Sequence, residues 1–447
     1  MQQLSHRLSF LAPPRSDFLQ QTSRTADAHT FGKGLVQCSQ RANLSMHNRR
    51  LQQVFAFAAL LMLPWPALRP TAQSITFGDL LLLPAILLNI DHVGKIRGWQ
   101  IPMLVALPLI LLSQVADPDG SIISVAQALY IFGVVLPFGW VAFVNFRPRT
   151  LIAGFLLSLS ISALVGGLQL GGFVGQIGNQ SIWALSGGAI RSAGLSISCS
   201  GLCLSLSPIF ALLLYVPDYR KRMVFLLILV LGLLATLAKS AIFAGAGLTY
   251  YLIKEPNRRG VLVVGAVLVA MCVGLFTVSP KIRSVTNRIY DTVAYRVDKA
   301  GFSFYERTST LRFSLRYLSR CAIIGMGTEG TTKELRQHFG NTVHVFHIGM
   351  LLICGFPAAA LQWTAFGMLI VSSFRSGQHP AAIMLLCHML ALCTMTMLMT
   401  SFQYVPFMIC ASILNFQLRH NEQVATVRMQ TARAAAASRR RAIPAAA

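Results

Sequence analysis

Acidic side chains are what this chain has least of: 14 Asp and Glu stand against 38 Lys and Arg, and all charged residues together make up 12% of 447 positions. A soluble domain carries about a quarter charged residues, so this composition excludes a soluble enzyme. Hydrophobic residues reach 54% and come in blocks long enough to cross a bilayer. The shortage of carboxylates also leaves no Asp/Glu cluster to hold a divalent metal. Asp117-Pro118-Asp119 reads as a turn in an outer loop, serving topology and solvation. The nine cysteines show no metal-ligand spacing. Cys199 and Cys203 have no His or second pair beside them. Cys272, Cys354, Cys387, Cys393 and Cys410 fall inside apolar blocks as small packing residues, and Cys321 has no evident partner, so no structural disulfide is predicted. The glycine-rich stretch from Gly166 to Gly178 has no Walker-type lysine and follows no strand, which excludes nucleotide binding. It reads as close helix packing or a loop.

The remaining residues define an all-α integral membrane protein. Residues 1–50 are polar and basic, with Arg7, Arg15, Arg24, Arg41, Arg49 and Arg50, and hold no apolar core of the signal-peptide kind. They are expected to be a disordered cytoplasmic tail. Alternatively Met46, just before His47-Asn48-Arg49-Arg50, is the true start and 1–45 is not translated. A polytopic domain covers 51–418 and a second basic tail covers 419–447. The hydropathy predicts about twelve spans, at 51–68, 75–90, 100–116, 122–144, 150–170, 195–216, 223–238, 240–253, 261–279, 344–371, 381–400 and 402–418. With both termini inside, the inner loops carry Lys95/Arg97, Arg147/Arg149, Arg220-Lys221-Arg222, Lys254/Arg258/Arg259, Arg375 and the tail residues Arg419 and Arg439-Arg440-Arg441, as the positive-inside rule requires. Outside lie Asp117 and Asp119, the stretch Gly166–Gly188 and a tight turn at Lys239-Ser240. No acidic residue lies deep in a span.

One outer segment, 280–343, carries eleven Lys/Arg against five Asp/Glu. A loop of this length is exempt from the charge rule, and its positive excess suits an anion such as phosphate. From Tyr305 to Ile324 it has helical period: Leu311, Leu315, Leu318 and Ala322 form one stripe, with Arg312, Arg316 and Arg320 opposite. Arg307 falls beside the leucines and should face protein, where it needs an acceptor. The helix is predicted to lie on the membrane surface and to end at Gly325-Met326-Gly327, with a polar loop then running to Val343-His344.

These residues resemble a known family. Arg307-Thr308-Ser309-Thr310-Leu311-Arg312 stands eighteen residues before Gly325-Met326-Gly327, and His344 stands eleven before the glycine of Cys354-Gly355-Phe356. This is similar to the large outer loop of the bacterial O-antigen ligase and Wzy-type polysaccharide polymerase superfamily. Upstream, Thr236-Leu237-Ala238-Lys239-Ser240 resembles that family's Thr-x-Ser-Arg turn, with lysine for arginine, and Ile190-Arg191-Ser192-Ala193-Gly194 resembles its Arg-x-x-Gly entry to a span. The resemblance covers roughly residues 185–360. It departs at Val345, where the family has asparagine after histidine, and at Lys239, which keeps the charge but not the bidentate fork.

The resemblance implies a GT-C-like fold in the bacterial inner membrane, and a glycosyltransferase acting at the periplasmic face on undecaprenyl-diphosphate-linked glycan. Its partners would be that lipid-linked glycan, membrane lipids and possible chain-length regulator and export proteins; no nucleic acid and no cofactor are expected. Arg191, Lys239, Arg307 and Arg312 would hold the diphosphate and stabilise the charge that develops as the glycosidic bond breaks, in place of a metal ion. The sugar hydroxyl that attacks needs a general base, and a neutral histidine suits that work. His344 is the first candidate. His347, one turn further on the same face, could orient it or replace it, and His338 in the loop is a third choice. His388, in mid-span, reads as a helix-contact residue, though an ionisable group at that depth carries a functional flag. Polymerisation of repeats into exopolysaccharide or O-antigen is the expected reaction, with ligation to lipid A core or protein as the alternative. A lipid-linked glycan flippase or transporter is the competing class.

Overall fold

The structure is a computed structural model that describes residues 50–68, 75–93, 96–178, 180, 192–236, 238–257, 321–339, 345–393 and 400–442, with isolated positions at 260, 266, 287, 308, 312, 315–317 and 319. The chain clusters into two units, Met1–Leu51 and Gln52–Ala447; almost all of the first lies outside the described residues. Among the described residues every regular element is helical. In chain order the principal helices are α1 (Arg50–Met62), α2 (Phe77–Leu87), α3 (Gln100–Val115), α4 (Ile122–Phe143), α5 (Pro148–Leu170), α6 (Cys199–Tyr215), α7 (Tyr219–Ala235), α8 (Ala244–Lys254), α9 (Thr328–Phe339), α10 (Phe346–Cys354), α11 (Phe356–Arg375), α12 (His379–Leu392) and α13 (Val405–Ala442).

Three of these, α4, α5 and α11, are long and apolar enough to cross a bilayer unaided. α1, α2, α3, α6 and α12 are apolar but shorter. Proline and local caps set their limits. α1 ends two residues before Pro64, while Pro84 and Pro108 lie within α2 and α3, each removing a backbone donor. Thr76 and Asp79 form a capping box that starts α2. α4 contains a π-wound segment at Leu129–Val135 that shifts the register of its side chains, and Tyr130 there donates to Asp79 Oδ1 at 3.0 Å. Asp79 is thus a buried carboxylate inside the expected second span. It sits in the first turn of α2, where the cap and the Tyr130 hydroxyl occupy its oxygens.

The middle of the molecule is apolar, with Phe132, Phe155, Phe210, Phe346, Phe407 and Leu60 fully enclosed. Small residues bring the helix axes together, as where Gly232 of α7 lies against Ala163 of α5 with no room for a Cβ. Polar ties gather at the two ends. At one end Arg97 pairs with Glu422 at 3.3 Å and donates to Asn415 at 3.1 Å, Arg419 donates to the Val144 carbonyl, and Arg222 pairs with the buried Glu255 at 3.1 Å. At the opposite end lie the α3–α4 turn, the 325–330 turn, α9 and α10.

Four expectations change at this point. The single span expected over 344–371 is two helices, because Gly355 takes φ +82°, a conformation that only glycine adopts readily and that ends α10 at Cys354. α10, about 14 Å long, stays at the loop end, and of the two α11 is the one long and apolar enough to cross a bilayer. The polar loop expected before His344 contains α9. The amphipathic helix expected over 305–324 is helical at its described positions only as far as Tyr317, and the chain turns at Ser319 and bends over 322–324. Of its leucine stripe, Leu311 and Leu318 lie outside the described residues and Ala322 is exposed. Leu315 is exposed, while Tyr317 and Cys321 pack with Leu335, Leu352 and Ile348. Finally, the tail expected from 419 continues α13 as helix to Ala442, a rod of about 57 Å in all. The expected span 261–279 lies outside the described residues apart from the single position 266.

Candidate functional site

The loop end is built on a glycine turn. Met326 and Gly327 donate their N–H groups to the carbonyls of Leu352 (2.7 Å) and Ile353 (3.2 Å), and Gly325 N–H donates to Ser113 Oγ at 3.0 Å. Ser113 in turn donates to the Leu109 and Cys354 carbonyls. A Cβ on Gly325 would strike the Ile353 carbonyl, and one on Gly355 would strike Gly325 N and the Ile323 carbonyl. The Gly-x-Gly and Cys-Gly-Phe segments, thirty residues apart, are therefore one packed unit.

The α3–α4 turn completes it. Asp117, buried, accepts from the N–H groups of Glu329 (3.1 Å) and Gly330 (2.9 Å), capping α9 from outside its own chain segment. Gln114 Oε1 accepts from Thr328 N and Oγ1, and Ser121 donates to Glu329 at 2.6 Å. Lys333 pairs with Asp119, whose carboxylate holds the amine above its ordinary range. The turn expected to serve only topology and solvation is thus the clamp that fixes α9.

On this unit sits His347. It is half-buried at the start of α10, and its Nε2 lies 3.2 Å from the Met389 carbonyl of α12. A carbonyl oxygen only accepts, so Nε2 carries the proton and Nδ1 keeps its lone pair in the neutral ring. The ring stands edge-on to Phe346 and Trp363 at 5.6 and 6.0 Å. Val345 is extended, so the helix starts only at Phe346 and the His344–His347 spacing is not a helical turn. His344 itself lies outside the described residues.

The cationic candidates divide. Arg312 is helical and exposed. Lys239 opens the 3-10 turn Lys239–Phe243, which packs against both α6 and α12. Arg191 and Arg307 lie outside the described residues, and the side chain of His338 does as well. Ser192, next after Arg191 in sequence, donates its N–H to the Ala235 carbonyl at the end of α7, close in sequence to Lys239. Two buried glutamines hold that segment. Gln169 Oε1 accepts from Ala193 N (3.1 Å) and Gly194 N (2.8 Å), its amide donates to Gln180 Oε1 at 2.9 Å, and Gln180 donates to the carbonyls of Gly194 and Ser196. The segment at Ser192 is thus tied to the end of α7 at Ala235, and α12 contacts both the Lys239–Phe243 turn and His347. Among the described residues no group of three His, Cys, Asp or Glu side chains is placed to hold a metal ion.

Gln169, Gln180 and Glu255 carried no signal in the sequence beyond being polar residues near apolar blocks, and Asp117 read only as part of a turn. No known family model and no curated protein matches this chain.

Proposed function

We propose that this chain is a GT-C-like membrane glycosyltransferase of about twelve spans in a bacterial inner membrane, with both termini cytoplasmic, that polymerises undecaprenyl-diphosphate-linked repeats at the periplasmic face. The observation that carries the reading is that α12 touches both the Lys239–Phe243 turn and His347, which sits on the Gly325–Gly355 unit at the loop end of the bundle. A lipid diphosphate held by cations at that end would leave its glycan beside an imidazole whose Nδ1 can take the proton of the incoming hydroxyl. Arg312, exposed on the same loop, supplies charge for the leaving diphosphate, as would Lys239, Arg191 and Arg307.

The test replaces His344 with Ala and His347 with Gln, separately, in the organism carrying this gene. Membrane levels are checked and lipid-linked glycan is separated by size. Loss of long polymer with accumulation of single repeats supports the polymerase. Long polymer made on the lipid but not passed to its final acceptor points to a ligase. Unchanged polymer in both variants and in Arg307→Ala overturns the enzyme reading.

A further inference from the structure

His388 is 2% exposed in the last turns of α12, within an apolar block. Its Nε2 donates to the Gln403 carbonyl at 2.6 Å, and its Nδ1 is enclosed without a hydrogen-bond partner beside a small cavity lined by Ser205, Phe402 and Val405. Burying an imidazole with one nitrogen unsatisfied costs stability, and an apolar side chain would fill the space without that cost. Packing alone therefore does not account for a histidine here.

Its bond does join two elements, one that touches His347 and one that touches its neighbour Phe346. Met389, the next residue, supplies the carbonyl that receives His347 Nε2. Gln403 and Tyr404 belong to the 3-10 turn Ser401–Tyr404, and the Tyr404 ring stands edge-on to Phe346 at 6.2 Å, one residue before His347. Tyr404 is braced from behind by Phe132. The contacts close a ring from His347 to Met389, through His388 to Gln403 and Tyr404, and back through Phe346. The His388–Gln403 bond thus ties the element that holds His347 Nε2 to the element that backs Phe346, the residue before it.

We propose that His388 is a positioning residue for His347: by tying α12 to the Ser401–Tyr404 turn it holds the Met389 carbonyl in place and so keeps the His347 proton on Nε2 and the lone pair on Nδ1. The inference deepens the reading of His347 as part of the site and rests on it for its functional meaning. The tautomer itself can be tested without any activity. A histidine is a useful base only through the nitrogen its partner leaves free, and the bond at the other nitrogen makes that choice.

The experiment uses the full chain, labelled with 15N-histidine and held in detergent micelles, with the His347 signals assigned by their loss in His347→Gln. The wild type should show the Nε2–H tautomer. His388→Met, close in volume but without a donor, should show a mixture of both tautomers and at least a tenfold loss of long polymer in the glycan assay. His388→Gln, whose amide can still reach the Gln403 carbonyl, should restore the single tautomer and recover polymer to within about threefold of wild type, an expectation drawn from retaining one hydrogen bond. Should His388→Met not accumulate in the membrane, Tyr404→Leu cuts the same ring at Phe346 and is read in the same way. An Nδ1–H tautomer in the wild type, or an unchanged single tautomer in a folded His388→Met or Tyr404→Leu protein, overturns the proposal. If the tautomer responds as stated while polymer is unaffected by His388→Met and by His347→Gln, the positioning stands and the role of His347 in polymerisation fails.

Discussion

Glu255 shows how much one side chain can carry in a chain so poor in acid. Its carboxylate is fully enclosed, its partner Arg222 is 12% exposed at 3.1 Å, and the guanidinium lies over the Tyr219 ring. Removing one member of such a pair leaves the other charge buried, at a cost of about 3–5 kcal/mol, whereas replacing both with apolar residues is often neutral. Glu255→Leu should therefore shorten the half-life of the detergent-extracted protein sharply at a fixed temperature, and Arg222→Met combined with Glu255→Leu should recover most of it. Additive losses in the double variant would refute the pairing. Lys333 and Asp119 make the opposite case. Lys333 is raised above its ordinary range by hydrogen bonding to Asp119. A raised amine contributes stability that is complete below its unfolded pKa and lost as pH rises through its folded pKa, so nothing is lost near neutrality. The pair is exposed and screened by salt. Lys333→Met should leave the same half-life unchanged at pH 7 and physiological ionic strength. Asp117, two residues before Asp119, is another matter: two backbone donors of α9 end on its carboxylate. Asp117→Ala should cost about 1–2 kcal/mol, the range of a lost helix cap. The loss should be seen as protease cleavage within α9, with Asp117→Asn cleaved less.

At the scale of elements, the informative unit is α10 between its two breaks. Gly355 turns the chain at φ +82°, and Gly325 fits against that turn so closely that neither glycine has space for a Cβ. Alanine at either position should deplete folded protein from the membrane. The double variant should be little worse than the single ones, because both disrupt one contact. Independent, additive losses would show that the two segments act apart. The order of the loop motifs was legible in the sequence, and so were the apolar blocks. That Gly355 ends a helix was not, because an apolar run on both sides of a glycine reads as one span until its φ is known. α9 was hidden for a related reason. Thr328–Phe339 is short and polar, and the cap that holds it, Asp117, is more than two hundred residues away. The helical period read around Leu315 agrees with the helix at 315–317, but periodicity identifies a face and not what covers it. Of the candidate site, His347 was named as one helical turn from His344, a relation that the extended Val345 does not keep; its partner Met389 could not be named, since a backbone carbonyl leaves no mark in sequence.

At the scale of the whole molecule the two ends differ in charge and in construction, and this asymmetry makes the orientation testable. The end with Arg97, Arg222 and Arg419 presents cations on short turns and extends into the exposed, basic part of α13. The end with α9 and α10 presents the loop and the candidate site. The positive-inside rule assigns the first end to the cytoplasm, and a site for lipid-linked repeats at the periplasmic face requires the second to be outside. The two arguments are independent, one resting on short-loop charge and the other on the proposed chemistry, so a disagreement between them would be decisive. Lys333, the site of Lys333→Cys, is an exposed position of α9, and Gln423, the site of Gln423→Cys, lies on the exposed part of α13. In a background without native cysteines, a membrane-impermeant maleimide applied to cells with a permeabilised outer membrane should label position 333 and leave position 423 unlabelled until the inner membrane is broken. Labelling of 423 but not 333 in intact cells would place His347 on the cytoplasmic side. The periplasmic polymerase reading would then be untenable, even though every contact within the bundle would stand.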